Sequence, residues 1–81
     1  MNKLEAIADS AEMIINGYAF IKAGNNVKVI NLNNPNKALL MDNTGDVLET
    51  SMDDIEIDIV LDYYLRNNKY MEVHSAYVLW I

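Results

Sequence analysis

Eighty-one residues make one domain, which buries only about two thirds of its unfolded surface, and without cysteine neither a disulfide nor a thiolate zinc site can staple it. A net charge of −6, with six scattered Lys and Arg against twelve Asp and Glu, argues against nucleic acid or an anionic membrane as a direct ligand, since both need clustered cations. Acids at positions 5, 9 and 12 interrupt any signal-peptide core, and no apolar run nears the roughly 20 residues of a membrane span, so a soluble cytoplasmic protein is expected.

Along residues 2–16, Leu4, Ile7, Ala8, Ala11, Ile14 and Ile15 recur at helical spacing opposite Glu5, Asp9 and Glu12. That predicts an amphipathic helix, closed by Asn16-Gly17. The pattern then turns to β-rich residues. Strands are expected near 18–23 and 27–32, joined by the hairpin Ala23-Gly24-Asn25-Asn26. Asn33, Asn34, Pro35 and Asn36 form a loop, because Pro35 cannot donate to a ladder and asparagines favour turns. A second hairpin around Asp42-Asn43-Thr44-Gly45 joins strands near 37–41 and 46–50, which completes a four-stranded antiparallel meander.

Residues 50–68 read two ways, because Ile55, Ile57 and Ile59 alternate with Glu56 and Asp58 as a strand would. Ser51-x-x-Asp54 resembles a capping box, however, and no Gly or Pro intervenes before Asn67-Asn68. Strands rarely run so long, so a second helix is expected from 52 to about 67. The Val, Tyr, Trp and Ile of residues 69–81 predict a last strand pairing back into the sheet, with a short helix as the alternative. The fold class is α+β: an N-terminal helix, a four-stranded meander, a second helix and a C-terminal strand or short helix, with both helices on one face of the sheet.

The sequence is poor in catalytic signals. His74 and Ser75 would point to opposite faces of a strand, and a triad would require His74 to meet Ser10 or Ser51 across the fold. His74 is read as a structural or surface histidine. One histidine and no cysteine leave any transition metal to carboxylates alone. Asp42-Asn43-Thr44-Gly45-Asp46 with Glu49 lacks the spacing of a calcium loop and fits a hairpin turn with Gly45 in the left-handed region. No glycine-rich loop cradles a phosphate. No cofactor is expected, and no enzyme; a small carboxylate-dependent hydrolase is the remote alternative.

The acids carry more information. Eight of the twelve lie between residues 42 and 62, with no base among them. At about 100° per residue, the second helix would lay Ile57, Val60, Leu61, Tyr64 and Leu65 on the sheet. A second ridge of Met52, Ile55, Ile59, Tyr63 and Arg66 points nearly the opposite way, and Met, Tyr and Arg are enriched at interfaces. Asp54, Asp58 and Asp62 form a stripe that ends at Arg66, each about 6 Å from the next. Partner binding is therefore expected through these eight residues. The expected function is that of a non-enzymatic acidic interaction or regulatory module. An inhibitor occupying a basic surface of a larger protein, of the anti-defence kind borne by phage or mobile elements, is one form of it. The alternatives are a structural homodimer formed through the apolar ridge, and an ordinary solvated helix face as the meaning of the stripe.

Overall fold

The computed structural model describes residues 10–73 and 77–79. Strands β1 (Met13–Ile15), β2 (Tyr18–Ala23), β3 (Asn26–Asn31), β4 (Ala38–Asp42) and β5 (Val47–Thr50) follow one another. They pair as an antiparallel meander. Helix α1 (Asp54–Val73) comes next, and β6 (Tyr77–Leu79) pairs parallel with β1, giving the sheet order β5-β4-β3-β2-β1-β6. The class is α+β, as expected, but the meander has five strands rather than four.

The additional strand corrects the N-terminal helix. Ser10 is helical, and residues 1–9, on which the rest of that expectation falls, lie outside the described residues. Met13–Ile15, assigned to the helix by spacing, is instead a strand in which Met13 and Ile15 are buried and Ile14 is half-buried. Asn16-Gly17 is the reason. Asn16 (φ 48°) and Gly17 (φ 86°) both occupy the left-handed region, and Ile15 pairs with Tyr18 across them. That is a two-residue type I′ hairpin turn, the geometry Asn-Gly favours most. The same dipeptide also suits a helix cap, which is the role its spacing suggests.

Side-chain alternation divides the sheet into two faces. Met13, Ile15, Phe20, Val27, Val29, Leu39 and Met41 lie on one face and are buried beneath α1, together with Val60, Tyr64 and Met71 of the helix. Phe20 and Tyr64 stack with ring centroids 6.4 Å apart and planes 17° from parallel. Ile57 and Leu61 pack against this core from its margin, while Leu65, expected beneath the helix, is exposed. Leu65 sits beside the Gly45 turn.

Both ends of α1 differ from expectation. The residue preceding the helix, Asp53, accepts the Glu56 amide on Oδ1 at 2.8 Å and so serves as the N-cap. Ser51 does not cap. Its hydroxyl donates to the Asn36 carbonyl at 2.7 Å and accepts the Ala38 amide at 3.0 Å, so it stitches the start of β4 to the end of β5. Asn67-Asn68 does not stop the helix either: α1 runs through them to Val73, the Asn67 side-chain amide folds back to donate to the Tyr63 carbonyl, and Met71, two turns after Tyr64, still reaches the core. The expected C-terminal strand is therefore confined to Tyr77–Leu79 among the described residues. His74 and Ser75 lie outside them. No helix among the described residues is long and apolar enough to cross a membrane.

Candidate interaction surface

The face of α1 turned away from the sheet carries Asp54, Ile55, Asp58, Ile59, Asp62, Leu65 and Arg66, all exposed. Ile55 is 74% exposed and Ile59 41%. One turn separates them, with Asp58 and Asp62 alongside. The stripe ends in an ion pair between Arg66 Nε and Asp62 Oδ1 at 3.0 Å. Six of the eight residues expected to bind a partner thus share this one surface.

Met52 and Tyr63 do not belong to it. Met52 is 6% exposed and lies in the core, where the chain leaves β5. Its amide is fixed by Thr50 Oγ1 at 2.9 Å, so it precedes the helix and is free of the helical phase that would have turned it outward. Tyr63 is half-buried. Its ring packs on that of Tyr18 with centroids 6.1 Å apart, and its hydroxyl accepts the Asn16 side-chain amide at 3.1 Å.

Nor do the eight clustered acids form one patch. Asp53 is spent on the helix cap. Asp42 Oδ1 accepts the Thr44 hydroxyl at 2.6 Å, the Thr44 amide at 2.9 Å and the Asp46 amide at 3.0 Å, closing the β4–β5 turn with Gly45 at φ 95°. These donors, the Thr44 hydroxyl foremost, hold the Asp42 carboxyl below its ordinary value. Among the described residues no group of three or more His, Cys, Asp or Glu side chains converges to hold a metal.

Glu56 turns inward, a role that spacing alone does not reveal. One carboxylate oxygen accepts the Tyr18 hydroxyl at 2.8 Å and the Asn31 side-chain amide at 2.9 Å. Burial first, and then the bond to Glu56, push the Tyr18 phenol up to about 12. Asn31 meanwhile uses its Oδ1 to accept the Asn33 and Asn34 amides, which ties the 32–37 loop to the same point. This cluster clamps the first turn of α1 to β2 and β3. Its effect is to fix the rotation of the helix, and with it the outward direction of Ile55, Asp58, Ile59 and Asp62. No curated protein and no solved structure matches the chain. A family model covers residues 1–71, and the chain belongs to that family, DUF7723, a family of unknown function.

Proposed function

We propose that the protein acts without catalysis, as a small cytoplasmic acidic module whose outer helix face occupies a basic surface on a larger protein. The observation that carries this reading is the coexistence, on one exposed helix face, of a carboxylate stripe and two isoleucines exposed to 74% and 41%. Carboxylates steer a basic partner and set its orientation, whereas apolar side chains supply contact energy once water is excluded. The stripe's repeat of about 6 Å is close to the phosphate spacing along a nucleic-acid strand. A groove built to hold phosphates is therefore the kind of basic surface it fits, and its occupation would inhibit the owner. Support for catalysis is thin, since Glu56, the half-buried carboxylate on α1 among the described residues, is already engaged by Tyr18 and Asn31. Self-association through the apolar ridge has little support, because Met52 lies in the core and Tyr63 packs against it.

The test is capture of partners from host lysate on the immobilised chain, followed by association kinetics with the retained protein. Replacing Asp54, Asp58 and Asp62 together by lysine should leave folding intact and slow association by about tenfold or more, as should high salt. Undiminished association by the folded triple variant would reduce the stripe to ordinary solvation.

A further inference from the structure

The sheet face opposite α1 carries its own pattern. Ile21, Lys28, Leu40 and Glu49 are successive partners across β2, β3, β4 and β5, so their side chains form one row on that face. Ala19 and Ile30 on the same face are buried, whereas Lys28 and Glu49 are exposed and Leu40 is half-buried. The open part of the face is thus a half-buried leucine between a cation and an anion, with half-buried Ile21 beyond Lys28 on β2. Strands about 4.8 Å apart put the Lys28 and Glu49 backbones roughly 10 Å from each other, with Leu40 between them. Among the described residues neither side chain has a hydrogen-bond or ion-pair partner. Between them a groove of about 370 Å³ is floored by Ala38 and Leu40.

We propose that a second copy of this chain packs on this face, about a two-fold axis that runs parallel to β4, between the two sheets and over Leu40. Rotation about such an axis sets Lys28 of one copy opposite Glu49 of the other, twice, with the two Leu40 side chains at the centre. An axis across the strands would set lysine against lysine, so the charge order selects the first. It also leaves the strands of the two sheets nearly aligned, a standard sheet-on-sheet geometry. The groove receives the methylene stem of Lys28 from the other copy, covering Leu40 while the ammonium reaches Glu49. Since α1 lies on the far side of each sheet, the acidic faces point outward from the pair and do not oppose one another. The surface is independent of the proposed partner site.

Sedimentation equilibrium at rising concentration tests this, using the full chain and four variants. Wild type should dimerise reversibly. Lys28→Glu and Glu49→Lys should each weaken the dimer about tenfold or more by setting like charges opposite one another, and the double exchange Lys28→Glu/Glu49→Lys should restore it. Ile59→Lys, on the helix, should leave the dissociation constant unchanged. A wild type that stays monomeric near millimolar concentration overturns the proposal. So does a double exchange that fails to restore the dimer, or a dimer broken by Ile59→Lys and not by Lys28→Glu.

Discussion

Truncating Met52 to alanine separates the interior of this protein from the outer face of α1 more sharply than any change on the helix itself. The side chain is 6% exposed and belongs to the buried cluster with Met41, Val60 and Tyr64. The change removes Cγ, Sδ and Cε, worth about 0.8 kcal/mol each as buried methylene-sized groups, or roughly 2.4 kcal/mol together. The cavity left behind raises the cost to about 3 kcal/mol, within the ~2–5 kcal/mol span of buried Met→Ala changes. At about 4–8 °C per kcal/mol for a domain of this length, Tm should fall by ~12–24 °C. The loss is a large share of the ~4–12 kcal/mol total that 81 residues support at 0.05–0.15 kcal/mol each. Ile55→Ala, at a site 74% exposed, should change stability by less than about 0.5 kcal/mol. Urea unfolding followed by circular dichroism measures both, with unchanged m-values confirming that the same cooperative unit unfolds. Near-equal effects of the two substitutions would refute the assignment of Met52 to the core and Ile55 to the surface.

Further predictions concern the clamp and the first turn. Glu56→Ala leaves the Tyr18 hydroxyl and the Asn31 amide without their acceptor; with water partly replacing it at this half-buried site, the expected loss is about 1–2 kcal/mol, read from the same urea titration. The same substitution should bring the Tyr18 phenol part of the way from about 12 back toward 10.0, since burial, the larger cause, persists; a pH titration of carbon-13 labelled tyrosine by NMR reads this directly. Because the folded-state value is raised, the protonated phenol stabilises the fold fully below pH 10, and wild type should lose that contribution as pH rises toward about 12, more than Glu56→Ala does. Gly17→Ala puts a side chain at φ 86° and within 2.8 Å of the Asn33 amide nitrogen. It should cost about 1–2 kcal/mol, chiefly from backbone strain, since Asn33 can swing aside; no measurable loss in thermal unfolding would mean that the hairpin turn is not type I′.

Much of the fold is legible along the chain wherever a local signal has one meaning. The hairpins at Gly24-Asn25 and Asp42–Asp46 place their strands almost to the residue, since turn chemistry sets register and register sets faces. Asn16-Gly17 has two meanings, helix cap and hairpin turn. Which applies depends on Ile15 finding Tyr18 as its pair, and apolar spacing over Ile14 and Ile15 satisfies either reading. Ser51 failed as a cap for a similar reason: its hydroxyl found backbone partners at Asn36 and Ala38, 15 and 13 residues away. The outward stripe was legible because it depends only on helical phase, which Asp54, Asp58 and Asp62 share. Glu56 was not, since its inward turn rests on Tyr18 and Asn31, 38 and 25 residues distant.

The most direct test of the central claim, that the outer face of α1 is the partner surface, is to map backbone amide NMR shifts of the labelled chain on titration with the captured partner at low salt. Perturbed amides should concentrate between Asp54 and Arg66, on the residues flanking Ile55, Asp58, Ile59 and Asp62, and the perturbation should fade as salt is added. Perturbations centred instead on Lys28, Leu40 and Glu49, with the helix untouched, would contradict it.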